Sequence, residues 1–183
     1  YNIKIGQFLT KTILFLRYLS TSSIMFIFAA VNISKTLNSM YSDPKECLYC
    51  TNNETLHNLM IEIAPLSVSR VFLFKEQTYR GRCLVAYNGH VNDLFELSDE
   101  ERDKFMKDVT RVTRAMDKVF HPEKINYGAY SDKLSNLHFH LAPKYVDGPD
   151  YGGTFRMNPG EVYLTDAEYA DMVDKMKAAL QEG

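Results

Sequence analysis

The order of the elements that the sequence predicts is the strongest constraint on its fold. Three apolar, strand-like runs come first, at residues 59–64, 70–74 and 83–87, and one long amphipathic helix follows them. Two further strands, at 124–128 and 136–144, come after that helix. Consecutive strands without a helix between them pair mainly in the antiparallel sense, because parallel neighbours need long crossover connections. The sequence therefore predicts an α+β domain with an antiparallel β-sheet and a long packed helix.

Two capping boxes mark where the helices begin. Ser98 precedes the first one and is followed three residues later by a glutamate, so we predict a long helix over 99–120. Thr165 stands in the same relation to a second glutamate. We therefore predict a C-terminal helix that ends near Leu180.

Residues 1–39 differ in composition from the rest of the chain. Four of the 21 basic residues and none of the 23 acidic residues precede Met40. The apolar runs at 13–16 and 24–31 are each shorter than the ~20 residues of a membrane span. A targeting peptide, a membrane-associated segment and translated sequence upstream of a start at Met40 all fit this pattern, and we favour the last. We predict a non-core extension over 1–39 and one folded domain over 40–183.

Charge and cysteine content narrow the classes of function. The formal net charge is -2, so we expect no basic surface for nucleic acid. Of the three cysteines, Cys47 and Cys50 form a Cys-x-x-Cys pair, which is not the pattern of a disulfide framework. We therefore expect a reducing, cytoplasmic location, and no membrane association of the folded domain.

The strand at 136–144 carries polar side chains in an unusual pattern. Alternation along a strand places three apolar side chains on one face and Asn136, His138 and His140 on the other. Burying such polar groups without a use for them costs free energy, and an exposed face would favour Lys, Glu and Thr. Paired imidazoles can bind a metal, transfer protons, or act as nucleophile and acid on a phosphate. The spacing alone leaves these three uses open.

Residues 136–143, which read Asn-Leu-His-Phe-His-Leu-Ala-Pro, resemble the signature of the histidine triad (HIT) family. That signature is His-X-His-X-His-X-X with apolar X, often followed by proline, and Asn here replaces the first His. The runs at 82–87 and 124–128 are also similar to the family, and the tail at 144–155 is similar to a bacterial branch of it. The resemblance covers most of residues 45–160.

This resemblance implies a nucleotide hydrolase or nucleotidyltransferase. Its substrates would be small-molecule nucleotides: nucleoside phosphoramidates, acylated nucleotides or dinucleoside polyphosphates. His138, the middle triad residue, would attack the α-phosphorus to form a nucleotidyl-histidine, while His140 would hydrogen-bond a phosphate oxygen. The residues expected to bind the nucleotide are Asn126, Ser131, Lys133 and Asn136. No organic cofactor is implied, and the resemblance is compatible with a homodimer, since relatives often pair through the sheet and long helix.

Cys47, Cys50 and His90 are candidate metal ligands. Some members of the family bind a structural zinc through such a cysteine pair, such a histidine and the first triad histidine, and zinc favours four tetrahedral N or S ligands. Here Asn136 stands at the fourth position, so Asn136, water or another side chain would complete the coordination shell. Two cysteines in these places also fit a simple apolar role, and both interpretations stay open.

Two alternatives to the enzyme remain. The chain can be a nucleotide-binding module that lost activity with the first triad histidine. It can also be a metal-dependent hydrolase with His90, His138 and His140 as ligands. Turnover in the presence of a chelator separates the three hypotheses, because only the third requires a metal at the chemical step.

Overall fold

The computed structural model describes residues 43–130 and 136–182. The strands in these ranges are β1 (Met60–Pro65), β2 (Ser69–Phe74), β3 (Cys83–Tyr87), β4 (Lys124–Gly128) and β5 (His138–Lys144). They form one five-stranded sheet in the spatial order β1-β2-β3-β5-β4, and every pair of neighbours is antiparallel. The predicted α+β class with an antiparallel sheet is confirmed.

Helices accompany the sheet in the order expected. They are α1 (Leu48–Thr51), α2 (Glu54–Leu59), a short 3₁₀ helix (Leu94–Glu96), α3 (Asp99–Phe120) and α4 (Asp166–Gln181). The side-chain oxygen of Ser98 accepts a hydrogen bond from the N–H of Glu101 at 3.2 Å and so caps α3. Thr165 and Glu168 form a reciprocal capping box at the start of α4. The long helix therefore has its predicted bounds, and the C-terminal helix ends close to Leu180.

The short helices α1 and α2 were not predicted from the sequence. Asn52 ends α1 in the left-handed region, with a φ of 48°. The side chain of Asn53 then caps α2 by accepting the N–H of Leu56 at 3.1 Å. Helices of one or two turns are too short to show an apolar period and are marginal without tertiary packing. Because α2 occupies the preceding residues, the first strand begins at Met60, one residue later than predicted.

The two faces of the sheet are covered by different elements. On one face α3 and α4 pack through a large apolar core, which includes Leu141 from the middle of β5 and Leu137, the residue before that strand. On the other face α1 and α2 pack against side chains of β2 and β3, among them Phe74 and Leu84. Leu84 pairs with His140 across the sheet, and paired residues share a face. The histidines of β5 therefore lie on the face that α1 and α2 partly cover.

Some predictions fall on residues that the structure does not describe. These are the extension at 1–39, the domain start at Met40, and two of the expected nucleotide contacts, Ser131 and Lys133. Within 43–130 and 136–182, no helix combines the length and the apolar character that crossing a membrane requires.

A buried carboxylate ties the long helix to the sheet. Asp108 of α3 is only 4% exposed, and it accepts hydrogen bonds from the turn between β1 and β2. Its Oδ1 lies 2.8 Å from Ser67 Oγ and 3.2 Å from Ser67 N, and its Oδ2 lies 3.0 Å from Val68 N and 2.7 Å from Ser69 Oγ. Four donors thus converge on one side chain, which fixes α3 across the hairpin.

Substitution Asp108→Asn should destabilise the fold. The asparagine side chain would place its NH2 group opposite two donors whose hydrogen bonds the carboxylate oxygen accepts. Buried donors left without partners cost about 1–3 kcal/mol each. We expect a loss of about 2–4 kcal/mol in the free energy of unfolding, measured by urea denaturation. The matched control is Asp117→Asn on the exposed side of the same helix, which should change stability by less than about 0.5 kcal/mol. Equal stabilities of the two variants would contradict this account of Asp108.

Candidate active site

Two buried histidines form the centre of the site. His138 and His140 pair with Ala86 and Leu84 of β3, and they are 2% and 6% exposed. Their ring centroids are 5.0 Å apart and the rings are nearly perpendicular. A β-strand places alternate side chains on the same face, which is why two residues so spaced present adjacent rings.

The backbone determines the protonation of His138. Its Nδ1 lies 2.6 Å from the carbonyl oxygen of Asn136, the acceptor that the sequence suggested. A carbonyl oxygen only accepts hydrogen bonds, so Nδ1 carries the hydrogen and Nε2 keeps its lone pair. Burial lowers the pKa of His138, and the bond to Asn136 only partly opposes this shift. His138 is therefore a neutral imidazole with an unprotonated Nε2 at pH 7.

His140 lies against a buried cation. Nη2 of Arg82 is 3.1 Å from Nδ1 of His140, and the Arg82 side chain is wholly buried. Burial first, and then the positive charge of Arg82, lower the pKa of His140 to about 2. His140 is thus also neutral at physiological pH, and the positive charge of the site resides on Arg82.

A cavity of about 500 Å³ opens in front of both rings. The ring of Tyr49 in α1 packs against His138 at a tilt of 36°, with ring centroids 5.3 Å apart, and Phe74 meets His140 edge-on at 6.0 Å. Tyr130 and the segment 154–158 form the wall beside His140. The complete lining is Tyr49, Leu59, Met60, Phe74, Leu84, Tyr130, His138, His140, Thr154, Phe155, Met157 and Asn158. A largely apolar and aromatic cavity with two imidazoles at its floor suits a small molecule that has a flat ring and a phosphate.

A second cluster of possible metal-ligating atoms lies where the start of α1 meets the loop after β3. One ligand atom from each of Cys47, Cys50 and His90 falls within 4.8 Å of the others, and Cys50 Sγ is 3.3 Å from His90 Nδ1. Burial, followed by the interaction with Cys47, raises the pKa of the Cys50 thiol to about 11. Two thiols and an imidazole are the donors that zinc prefers, and they leave one of four tetrahedral positions to another ligand. The three residues therefore fit a zinc ion.

Residues 65–147 match the family model described as HIT domain. This part of the chain is therefore similar to HIT domains. "Protein hit" of Bacillus subtilis is 24% identical over 90 residues, which are 46% of this chain and 62% of the relative. The chain thus spans less than two thirds of the length of that curated relative.

Solved structures of histidine triad proteins share the fold of this chain. A histidine triad protein from Marinobacter aquaeolei VT8 superposes with a TM-score of 0.65 at 18% identity, over 71% of this chain and 95% of that one. A histidine triad protein from Bradyrhizobium japonicum has a TM-score of 0.64 at 17% identity, over 70% and 96%. A Zn-bound histidine triad family protein from Mycobacterium smegmatis has a TM-score of 0.56 at 20% identity, over 76% and 96%. At these identities the likeness concerns the fold alone.

Two of the residues expected to contact a nucleotide, Asn126 and Asn136, lie outside the cavity lining. Asn126 of β4 pairs with Ala142 of β5, so its side chain lies on the same face of the sheet as the histidines. The side chain is half-buried and is not among the residues that line the cavity. Asn136 is buried, and its side-chain amide donates to the carbonyl oxygen of Tyr87 at 3.3 Å. A role in nucleotide binding stays a prediction for these residues, as it does for Ser131 and Lys133.

Several residues of the site were missed by the sequence analysis. Arg82 stands at the edge of an apolar run, and its only local signal is a charge where the strand should be buried. Tyr49 and Phe155 lie outside every strand and helix that the sequence predicts. Tertiary contacts bring these residues to the site, and no pattern in the neighbouring sequence indicates such contacts.

Proposed function

We propose that this chain is a nucleotide hydrolase or nucleotidyltransferase. It acts on the α-phosphate of nucleoside phosphoramidates or dinucleoside polyphosphates through a nucleotidyl-histidine intermediate. The observation that carries the proposal is the hydrogen bond from His138 Nδ1 to the carbonyl oxygen of Asn136, at 2.6 Å. It leaves an unprotonated Nε2 on a ring that opens on the cavity, as a nucleophile requires.

The reaction proceeds in two displacements. The Nε2 lone pair of His138 forms a bond to the α-phosphorus, and the leaving group departs with the electron pair of its bond to phosphorus and takes a proton from solvent. The imidazole then carries a positive charge, which strengthens the bond from Nδ1–H to the Asn136 carbonyl. Water or another acceptor attacks the phosphorus, the N–P bond breaks with its electrons returning to Nε2, and the acceptor loses a proton.

His140 and the cavity walls support binding and charge stabilisation. The hydrogen on His140 Nε2 donates to a phosphoryl oxygen, whose negative charge increases in the transition state. The nucleoside lies among Tyr49, Leu59, Met60 and their neighbours, and apolar walls of this kind accept different bases. We also propose that the nucleotide is contacted by Asn126, Ser131, Lys133 and Asn136. We further propose that the protein is cytoplasmic and forms a homodimer.

A structural zinc at Cys47, Cys50 and His90 is the second part of the proposal. The convergence of their ligand atoms within 4.8 Å supports it, and the related fold from Mycobacterium smegmatis is Zn-bound. Asn136 or water would complete the coordination. A zinc ion there would link α1 to the loop after β3 and would take no part in the chemistry. Tyr49 stands between the two cysteines, so this link would hold the ring that packs against His138.

Turnover with and without a chelator tests the proposed function. We expect the purified protein to hydrolyse adenosine phosphoramidate and a dinucleoside polyphosphate in a parallel assay. Because the nucleophile is a side chain, a chelator added at the start of the reaction should leave the initial rate within about twofold of the untreated rate. Immediate loss of turnover would instead support the metal-dependent hydrolase, and nucleotide binding without turnover would support the inactive module.

Metal content is the control for this assay. Elemental analysis should give about one zinc per chain, and prolonged chelation should lower the melting temperature, because the site links two segments of the fold. A Cys50→Ser variant should show the same lower melting temperature and no zinc. Metal-free protein with an unchanged melting temperature would contradict the zinc site and leave the nucleotidyl-histidine mechanism standing.

A further inference from the structure

Arg82 lies behind His140 in a fully enclosed position. The guanidinium carbon stands 4.3 Å from the ring centroid of Phe74 and 5.2 Å from that of Phe155, so the group lies between two aromatic rings. Its Nη1 donates to the carbonyl oxygen of Met157 at 2.5 Å and lies 3.9 Å from a carboxylate oxygen of Glu76. Its Nη2 faces His140 Nδ1 at 3.1 Å and Met157 Sδ at 3.3 Å.

This arrangement keeps Arg82 charged despite its burial. Burial lowers the pKa of the guanidinium to about 10, against the opposing effect of Glu76, so the group remains a cation at pH 7. A buried cation without adequate partners would cost several kcal/mol. Even a buried charge that has partners seldom adds net stability, so stability alone does not explain Arg82 and a use for its charge beside the cavity is favoured.

The contact with His140 selects one tautomer of that ring. A guanidinium has five N–H donors and no acceptor, so a hydrogen bond between Arg82 and His140 requires an unprotonated Nδ1. A neutral imidazole with a bare Nδ1 carries its hydrogen on Nε2. The two histidines of β5 are then opposite tautomers: His138 has its hydrogen on Nδ1, through the Asn136 carbonyl, and His140 has it on Nε2, through Arg82.

We propose that Arg82 is a positioning residue that fixes His140 as the Nε2–H tautomer and provides the permanent positive charge behind it. His140 then acts as a hydrogen-bond donor to the phosphoryl group and not as a general acid, because loss of its Nε2 hydrogen would leave an imidazolate. The tautomer follows from the contacts alone. Only its effect on catalysis rests on the proposed function.

A purely structural role for Arg82 is the competing explanation. Its bonds to Met157 also hold the wall segment at 154–158, so its loss could lower activity by loosening that wall. Arg156 offers a matched control, since it fastens the same segment through Asp150 at 3.0 Å and Glu161 at 2.6 Å. Arg82→Met and Arg156→Met both remove a guanidinium that anchors the segment, but only the first removes the donor to His140.

Nitrogen NMR of the histidine rings tests the tautomer directly. With 15N-labelled protein, we expect His140 to show a protonated Nε2 and an unprotonated, hydrogen-bonded Nδ1 in the wild type, in Arg82→Lys and in Arg156→Met. Arg82→Met should give a mixture of tautomers or a protonated Nδ1. A protonated Nδ1 on His140 in the wild type overturns the proposal whether or not Arg82→Met folds, and so does an unchanged tautomer in a folded Arg82→Met protein.

Kinetics provide the second readout. Arg82→Met should lower kcat on adenosine phosphoramidate by about 10–100-fold with a much smaller change in KM, and Arg82→Lys should recover part of the loss. A wall effect would raise KM in Arg82→Met and Arg156→Met alike, which would overturn the catalytic part. A wild type with the expected tautomer but without turnover would refute the proposed function and leave the tautomer assignment intact.

Discussion

Replacing His138 with alanine should lower turnover of adenosine phosphoramidate by several orders of magnitude. The neutral Nε2 of His138 is the atom that forms the covalent bond to phosphorus, and the variant has no other group in its place. Removal of a nucleophile in other enzymes costs on the order of 10⁶ in kcat, with only the contribution of binding and charge stabilisation left. The measurement is single-turnover kinetics of wild type and variant at the same pH.

Nucleotide binding is the control for that experiment. The walls of the cavity come from α1, β2, β3 and the segment at 154–158, so the variant should bind a nucleoside monophosphate within about tenfold of the wild-type affinity. Retained binding with lost turnover would separate loss of the nucleophile from loss of the fold. Turnover close to the wild-type rate would show that another group attacks the phosphorus.

Replacing His140 with alanine should have a smaller but still large effect. The substitution removes one donor to the phosphoryl oxygens and leaves His138 in place. Loss of one such donor typically costs on the order of 10²–10³ in kcat. Rapid-quench kinetics should show that formation of the nucleotidyl-histidine is slower, with the adduct still detectable.

The two variants should also differ in whether the covalent adduct forms. His138→Ala should form no adduct, whereas His140→Ala should form one slowly. Replacing the donor by His140→Gln, whose side chain keeps an N–H group, should restore part of the lost rate. A His140→Ala protein that is as inactive as His138→Ala and forms no adduct would contradict this division of roles between the two histidines.

The sequence predicted the elements that have strong local signals. The bounds of α3 follow from a capping serine and an apolar period over many turns, and those of β4 follow from a short alternating run between turn residues. The start of β5 was predicted two residues early, because Asn136 and Leu137 continue the polar and apolar alternation of the strand. The Leu137 carbonyl accepts the N–H of Tyr87 at the end of β3, but the Leu137 N–H donates to Val91 in the loop, so regular strand pairing begins at His138.

The site was predictable in part. Alternation alone put His138 and His140 on one face, and the resemblance to the histidine triad family led to the cluster of Cys47, Cys50 and His90. The partner of His140 could not be found in this way, because Arg82 is 58 residues away in sequence. Its burial depends on two aromatic rings from different segments, and only the folded chain brings those rings together.

The proposed mechanism requires that His138 becomes covalently linked to the nucleotide during turnover. The direct measurement is mass spectrometry of peptides from protein that is mixed with adenosine phosphoramidate and quenched within milliseconds into alkaline denaturant, where N–P bonds persist. We predict an added nucleoside monophosphate, less one water, on His138 of the wild type, and no such adduct in His138→Ala. An adduct on a different residue, or turnover by the wild type with no adduct at any time point, would contradict the mechanism.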